Sequence, residues 1–562
     1  QAEFHKRRFW VCVSDQDQNQ FNIKTILAKI YKLATGEKNV GDLDLDPLVR
    51  ELRNTLDQNK YLLVLDDVWA EDCIECNELV DMLIGSAQVA KKGSRIVVTT
   101  RSQKTAAVMG CNHPYELQGL SDEDSWLLFK ITSGMEQENL HDLVKMGKDI
   151  VKKCANVPLA IKVVGSFLYG QNEDTWRCIQ QHGLSATRKD DDEDSIIPIL
   201  KFSYDQLSPS LKSCFLYSAM YPKDTELDKE ILISLWLAQG YVKDEGQGIE
   251  AAAEYYFNIL VQRCFFQDIN DYGGKGRITF KIHDLMHDMA HQAMGKEIFI
   301  AGSTTSNLGK HIRHLFDAAP RRRAKGFITK SKIRSYIKDD EDTSDSIRFP
   351  LSALLTNWRS LRVLDLAELC ITELPNAIGE LLHLRWLDLG GNKGLKRLPE
   401  SFTKLINLQT LLLLRCDELE ELPEDFTKLI NLRILLVSHG EEDGLRHMPS
   451  DMEKLTCLMR LNSFIVSQRK SSTKREARPE DLRVPRNLKG YLKIYISPSY
   501  KHSKRYGGGG GYLCNTEHLN TICIKWPYGE HEEERNGNDD ADVLEDLQPH
   551  SNLKALAIKR YP

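Results

Sequence analysis

The first 120 residues alternate between short apolar runs and stretches in which apolar residues recur at a helical spacing. The run YLLVL at 61–65 is too apolar for a sheet edge, so it predicts a strand buried on both faces of a parallel sheet. Ile23 to Leu33 and Leu48 to Leu56 each predict a helix. Further predicted strands are 9–14 (FWVCVS), 95–101 (RIVVTTR) and the short Tyr115–Leu117. This alternation predicts a parallel α/β domain over residues 1–120.

The pattern becomes helical at residue 121, without a convincing strand up to about residue 200. Ser121 and Asp124 resemble a capping box, which predicts that a helix begins there. Pro158 stands where a helix breaks or begins. We therefore expect a helical subdomain over residues 121–200.

Residues 201–310 combine helical patterns with an apolar run at 278–282 that follows Gly273-Gly274, as in a hairpin. Helices with a small hairpin predict a winged-helix subdomain. We expect residues 311–350 to be a linker. Its basic stretch at 318–338 is explained either by a simple connector or by contact with phosphates or an acidic protein surface.

A leucine repeat dominates the chain after residue 355. The spacing L-x-x-L-x-L begins at Leu361, Leu384, Leu408 and Leu432, so the period is 23 or 24 residues (384 − 361 and 408 − 384). This is the period of leucine-rich repeats, which predicts an α/β solenoid over residues 351–562 that is incomplete. Later units are suggested around Leu519, Ile522 and Ile524, and around Leu553, Leu556 and Ile558. Side chains between the leucines are expected to line a concave sheet, a surface that usually binds protein: Arg362, Arg385, Trp386, Gln409 and Arg433.

Composition excludes several classes of protein. A length of 562 residues allows three or four domains, and the net charge of −6 gives no signal for nucleic acid or a membrane. The 13 cysteines show no spacing framework, which favours free thiols in a reducing compartment. One Cys-x-x-Cys, Cys73 and Cys76, has no second pair to complete a zinc site.

Two adjacent carboxylates are the strongest candidate chemistry. Asp66 and Asp67 follow the strand predicted at 61–65, and ligands bind at this carboxyl end of open α/β sheets. Asp66 would hold Mg²⁺, mainly through water, and Asp67 would orient a hydrolytic water as the catalytic candidate. Either Asp would alternatively cap the next helix. Arg101 leaves the neighbouring predicted strand, where a guanidinium suits a γ-phosphate.

The phosphate-binding loop that usually accompanies such an aspartate, G-x-x-x-x-G-K-[ST], does not occur in this sequence. The first residue is Gln1. The simplest explanation is a fragment that begins just downstream of that loop, and such a fragment would bind nucleotide weakly or not at all.

Three histidines, His283, His287 and His291, are spaced four residues apart. The pattern H-D-x-x-H is close to the zinc-protease pattern H-E-x-x-H. The Asp is too short to copy Glu, and a third ligand is not evident. We therefore expect His287 and His291 to pack on a helix face.

The order of motifs resembles plant intracellular nucleotide-binding leucine-rich-repeat (NB-ARC/LRR) disease-resistance receptors, most closely the coiled-coil branch without its N-terminal domain. The motifs are FWVCVSD, KYLLVLDDVW, GSRIVVTTR, YELQGLSDEDSWLLF, NVPLAIKVVG, CFLYSAMYPKD and IHDLMHDMA, followed by the repeats. The resemblance implies an incomplete P-loop-type sheet, a helical bundle, a winged helix and a repeat solenoid.

The resemblance also implies a cytoplasmic immune receptor that rests with ADP, exchanges it for ATP, oligomerises and triggers defence and a hypersensitive response. The expected partners are a pathogen effector or a guarded host protein, bound through the repeats, together with intramolecular domain contacts. Catalysis would be at most a slow ATPase that resets the switch. The alternatives are an ATPase whose turnover is itself the function, and a protein-interaction scaffold or decayed receptor that no longer binds nucleotide.

Carried over by position, the resemblance implies a role for five residues. Asp66 matches the Mg²⁺ aspartate, Asp67 its neighbour and Arg101 the γ-phosphate sensor. Pro158 matches the proline of G-L-P-L that lies against the nucleotide. His283, preferred over His287 of the literal M-H-D at 286–288, matches the histidine that holds the ADP β-phosphate. The glycine and leucine of G-L-P-L are replaced by Asn156 and Val157, and the methionine of M-H-D by Ile282.

Overall fold

The computed structural model describes residues 4, 7–13, 23–36, 44–56, 60–68, 78–79, 81–83, 93–111, 113–135, 141–183, 196–244, 246–272, 277–301, 308–309, 311–318, 320, 328–339, 350–438, 444–467, 477–483, 487–497, 500, 511–526 and 537–561. Cys73, Cys76 and Gly273-Gly274 lie outside them. The chain forms two compact units. The first comprises Gln1–Leu227, Val242–Ile269 and Thr279–Gly295, and the second Asp228–Tyr241, Asn270–Ile278 and Lys296–Pro562.

A three-stranded parallel sheet opens the first unit, in the order β1 (Arg8–Cys12), β2 (Leu62–Asp66) and β3 (Arg95–Val98). Helices α1 (Ile23–Thr35) and α2 (Leu45–Leu56) lie between the first two strands in sequence, and α3 (Gln103–Val108) follows the third. Ile26, Ile30 and Leu56 pack with Leu63 and Leu65 in one apolar core. The apolar pattern is therefore satisfied by a parallel α/β layer.

The strand expected at Tyr115–Leu117 is wrong. These residues are irregular, and the side chains of Tyr115 and Leu117 are 88% and 85% exposed. Three residues supply too little apolar surface to determine a strand without a neighbouring strand to pair with.

The described residues between 121 and 218 form six α-helices: α4 (Asp122–Ser133), α5 (His141–Lys153), α6 (Pro158–Leu168), α7 (Glu173–Cys178), α8 (Ile197–Asp205) and α9 (Pro209–Ser218). A π-helical turn, Ile179–Gly183, continues α7. The Oγ of Ser121 accepts a hydrogen bond from the Asp124 amide at 3.0 Å, as the capping pattern predicts. Pro158 occupies the first turn of α6, where its missing N–H has no helical partner to lose.

The next region contains α10 (Lys229–Gln239), α11 (Ile249–Gln262) and α12 (Asp284–Ala293). Strands β4 (Leu227–Asp228), β5 (Phe266–Asp271) and β6 (Ile278–Ile282) form a small sheet in the order β4-β6-β5. The predicted apolar run at 278–282 is therefore a strand, and it leads directly into α12. Helices with a small sheet agree with the winged-helix prediction.

An eight-stranded sheet runs through the second unit, and all its pairs are parallel. Its strands are β7 (Ile298–Ala301), β8 (His314–Asp317), β9 (Ser335–Lys338), β10 (Val363–Asp365), β11 (Trp386–Asp388), β12 (Thr410–Leu413), β13 (Ile434–Val437) and β14 (Arg460–Leu461). Leu364, Leu387, Leu411 and Leu435 are fully buried at equivalent positions. The sheet already includes β7 to β9, so the described part of the expected linker at 311–350 contributes two strands to it.

Short 3₁₀-helices return the chain between repeats: Asn376–Glu380, Glu400–Lys404, Phe426–Lys428, Met452–Lys454 and Pro479–Arg483. Helix α13 (Leu351–Asn357) precedes β10. A second parallel sheet follows, with β15 (Ser463–Val466), β16 (Lys489–Ile496), β17 (His518–Lys525) and β18 (Ala555–Lys559), and with α14 (Gly537–Leu547) before its last strand. Ile522 pairs with Leu556 and Ile524 with Ile558, as the later repeat units predicted. The sequence pattern missed β16.

Candidate functional site

The carboxyl ends of β2 and β3 bring the two candidate aspartates together. The Thr99 hydroxyl, at the end of β3, donates a hydrogen bond to the Asp66 carboxylate, and the Asp67 amide donates to the Thr99 hydroxyl at 2.9 Å. Asp67 has a left-handed backbone with φ of +53°, which turns the chain sharply after β2. The side chain of Asp66 is half-buried, whereas Asp67 is buried. The turn therefore aims two neighbouring carboxylates in different directions.

Asp67 belongs to a group of four alternating charges, which we name the four-charge cluster: Asp67, Arg101, Lys223 and Asp288. Arg101 Nε lies 3.2 Å from Asp67 Oδ1, and its Nη2 donates to Asp67 Oδ2 at 3.2 Å. Its Nη1 donates to Asp288 Oδ2 at 2.9 Å. Lys223 Nζ lies 2.7 Å from Asp288 Oδ1 and 3.3 Å from Asp67 Oδ2, which closes the ring.

Mutual attraction in the four-charge cluster outweighs burial. Burial favours the neutral form of Asp288, but the hydrogen bonds and charges of Lys223 and Arg101 hold the pKa of this carboxyl below its usual value. Burial opposes the charged form of Lys223 too, and Asp288 and Asp67 raise the pKa of its ammonium above the usual value. Asp288 and Lys223 are therefore both charged at neutral pH.

Sequence reasoning missed Lys223 and Asp288. Each lies in one of the quoted motifs, CFLYSAMYPKD or IHDLMHDMA, beside other polar residues, so the local sequence offers no signal that distinguishes it. Their partners lie 156 residues from Lys223 and 187 residues from Asp288. The pairing is therefore a product of the fold.

His283 caps α12. Its Nδ1 accepts a hydrogen bond from the Leu285 amide at 3.2 Å. An accepting Nδ1 leaves the proton of a neutral imidazole on Nε2. Burial, and then the positive charge of Arg101, lowers the pKa of His283, and Lys162 on α6 contributes in the same direction. The charges of Asp268 and Asp288 act in the opposite direction, and the net pKa stays lowered. The half-buried imidazole is therefore neutral at neutral pH, with a donor at Nε2.

Asp284 begins α12 directly after His283. Burial, followed by the charges of Asp224 and Asp67, raises the pKa of Asp284 to about 6. Asp284 therefore differs from Asp288, whose carboxylate is held ionised by its cationic neighbours.

Asn156 replaces the glycine of the G-L-P-L motif two residues before Pro158. Asn156 has a left-handed backbone with φ of +59°, a conformation that glycine adopts freely and that asparagine tolerates better than most residues. Its side chain accepts from Ser125 Oγ at 3.0 Å and donates to Asp122 at 3.1 Å, both at the start of α4. Pro158 itself is exposed, on the helix that carries Lys162.

His287 and His291 pack as the sequence predicted. Their rings are in contact, with centroids 4.3 Å apart and planes tilted by 30°. Their Nε2 atoms lie 2.8 Å from the Tyr221 carbonyl oxygen and 3.0 Å from that of Ala219. His287 is only 5% exposed. Within the described ranges, no group of three or more His, Cys, Asp or Glu side chains suits a metal ion.

The face of the first repeat strands is covered by α10, within the second unit. Trp386 Nε1 donates to Ser234 Oγ at 2.9 Å, and Gln239 Nε2 donates to Ser335 Oγ at 2.8 Å, with both pairs buried. Arg362 donates to the Gln239 carbonyl oxygen at 2.5 Å, at the helix C-terminus, where cations are favoured. Arg460 pairs with Glu230. Three predicted surface residues, Arg362, Arg385 and Trp386, therefore contact this chain's own helix.

Three family models match the chain in succession. Residues 1–139 match the NB-ARC domain, residues 220–290 the disease resistance protein winged helix domain, and residues 343–560 a leucine-rich repeat region. These matches agree with the multidomain fold described above. The helices in the described part of the chain are too short or too polar to span a membrane.

Two relatives from Solanum bulbocastanum carry the names of disease resistance proteins. RGA1 is 38% identical over 558 residues, 99% of this chain and 52% of the relative. RGA2 is 35% identical over 559 residues, again 99% and 52%. Disease resistance RPP13-like protein 4 of Arabidopsis thaliana is 30% identical over 413 residues, 69% of this chain and 45% of the relative. The chain spans about half the length of these curated relatives. It belongs to the plant disease-resistance proteins that combine an NB-ARC domain, a winged-helix domain and leucine-rich repeats.

Proposed function

We propose that this chain is the switch and sensor region of an intracellular plant immune receptor that ADP holds at rest and ATP activates. The observation that carries the proposal is the meeting of Asp66, Asp67, Arg101 and the His283 cap in one compact unit. Carboxylates at strand ends beside a cation and a neutral imidazole donor suit a phosphate group with its metal ion.

The donor groups fit a nucleotide in this location. His283 Nε2–H would donate to a β-phosphate oxygen, and the positive charges of Arg101 and Lys162 would favour an anion beside it. Asp66, with its hydroxyl partner Thr99, offers the hard oxygen ligand that Mg²⁺ prefers, and such a site keeps several waters. Bound Mg²⁺ would neutralise phosphate charge. Asp67 is the candidate for orienting a hydrolytic water, in a slow ATPase step that resets the switch.

The repeats are proposed to sense a pathogen effector or a guarded host protein. Helix α10 covers the face of β9 to β11, which supports an autoinhibitory intramolecular contact. A ligand activates such a receptor only if it binds the open state more tightly than the closed one. Cytoplasmic location, oligomerisation on activation and a hypersensitive response complete the proposal.

The test is analysis of bound nucleotide in the full-length gene product, purified beside the 562-residue chain. We expect ADP in the full-length protein at close to one equivalent, and little in the shorter chain, whose sequence contains no G-x-x-x-x-G-K-[ST] loop. The matched variants are His283→Ala, which removes the proposed phosphate donor, and His291→Ala, which removes a helix-packing histidine. Absence of nucleotide from both wild-type proteins would favour the scaffold alternative.

A further inference from the structure

The four-charge cluster contains two residues, Lys223 and Asp288, to which the proposed function assigns no role. Both contact residues that it does use. Asp67 and Arg101 are the candidates for orienting water and for sensing the terminal phosphate. Within the described residues, Arg101 forms ion pairs with Asp67 and with Asp288. The state of these two neighbours therefore controls what Arg101 is able to bind.

Asp67 and Asp288 occupy N–H groups of Arg101 that could otherwise bind a phosphate. Nε and Nη2 form a fork on the two oxygens of Asp67, and Nη1 donates to Asp288. A guanidinium recognises a phosphate through the same kind of paired N–H groups. A terminal phosphate that binds the Nε–Nη2 edge of Arg101 must therefore displace Asp67.

Lys223 stabilises this arrangement by joining the two carboxylates. Its ammonium lies between Asp67 and Asp288, and its side chain is only 13% exposed. Without this cation, two carboxylates would share one guanidinium, and their repulsion would weaken the pairing. The four groups come from four separate parts of the chain: the turn after β2, the segment after β3, the segment after α9 and the second turn of α12. The four-charge cluster thus ties these elements together.

We propose that Lys223 and Asp288 are positioning residues that hold Arg101 on Asp67, so that a nucleoside triphosphate engages Arg101 only after this pairing breaks. The proposal rests on the proposed function and adds its regulation. A diphosphate lacks the terminal phosphate, so it binds without this competition. The intact four-charge cluster therefore favours ADP over ATP.

The experiment compares the affinities of the full-length protein for ADP and ATP, measured by competition with a fluorescent ADP analogue. Lys223→Met and Asp288→Asn each remove one contact and keep approximate size. We expect each to shift the affinity ratio toward ATP by about tenfold, within the usual range of coupling between sites. Lys223→Arg restores a cation between the carboxylates and should keep the wild-type ratio.

The matched control is Lys281→Met. Lys281 Nζ lies 3.5 Å from Asp224, outside the four-charge cluster, so its loss should leave the ratio unchanged. An unchanged ratio in both Lys223→Met and Asp288→Asn, with wild-type protein that binds ADP, would overturn the positioning role alone. Wild-type protein that binds neither nucleotide would overturn the proposed function, and the inference with it.

Discussion

Trp386 provides the sharpest test of how α10 is held on the repeat strands. Its side chain is 3% exposed, yet it is not among the residues that form the apolar core of the repeats. Instead, its indole N–H donates to Ser234 on α10. Replacing Trp386 by alanine should therefore release α10 and leave the repeat core intact.

The magnitude follows from the burial of the indole ring. Replacing a buried Trp by Ala costs about 4 kcal/mol. If this free energy stabilises the docked α10, the equilibrium constant for local opening rises by about three orders of magnitude. Trp386→Phe keeps most of the ring and loses one hydrogen bond, which costs about 1 kcal/mol and raises opening about fivefold. The Ser234 hydroxyl retains a partner, because it already donates to the Ile231 carbonyl oxygen at 2.6 Å.

Hydrogen–deuterium exchange, followed by mass spectrometry of a peptide covering Lys229–Gln239, measures this opening directly. A local measurement is needed because a multidomain chain does not unfold in two states. Trp358→Phe is the matched control: Trp358 is fully buried and donates to the Thr329 carbonyl oxygen at 3.0 Å, within the repeat core. Unchanged exchange of α10 in folded Trp386→Ala protein would refute the reasoning.

Three further predictions concern other parts of the chain. Burial, followed by the charges of neighbouring arginines, lowers the pKa of His314 to about 3. Since an unfolded histidine titrates near pH 6.5, its contribution is complete above that pH and declines as the pH falls toward 3, by about 2 kcal/mol at pH 5. His314→Leu should therefore flatten the pH dependence, between pH 5 and 7, of the hydrogen-exchange protection factors of the β8 amides. The buried side-chain amide of Asn392 donates to the Leu366 and Leu389 carbonyl oxygens and accepts from the Ile371 amide. Asn392→Ala should therefore lower the free energy of local opening by about 3 kcal/mol. The measurement is hydrogen–deuterium exchange of the amides around β10 and β11, which should become faster. In the full-length receptor, His283→Ala should weaken ADP binding between about 10-fold and 100-fold, because it removes a charge-assisted hydrogen bond to the phosphate. The variant should therefore signal without ligand in a leaf cell-death assay. A variant that stays silent and loaded with ADP would contradict the role assigned to His283.

Local pattern was sufficient to predict most of the elements. Apolar side chains are buried in the strand at 61–65 and on one face of the helices around Ile26 and Leu52. The hydrophobic effect favours the burial of such a face whatever the position of the segment in the fold. The repeats were predicted in the same way, since equivalent leucines recur every 23 or 24 residues. The pattern failed for Tyr115–Leu117, where three residues were too few to decide.

The position of Asp66, Asp67 and Arg101 could also be inferred from sequence, because parallel strands end at the same edge of a sheet. Their neighbours could not. Lys223 and Asp288 lie far along the chain, and only the packing of α12 and the segment after α9 brings them to that edge. The contact between Trp386 and α10 could not be predicted from sequence either, because it too joins residues far apart in the chain.

The sequence by itself determined which segments are strands, helices and repeats, since hydrophobic burial acts residue by residue along each element. Tertiary structure alone decided that Arg101 is shared by two carboxylates and that the first repeat strands carry a helix. Charge pairing depends on distances of 3 Å between groups that the chain separates by more than a hundred residues, and no periodicity along the sequence encodes such a distance.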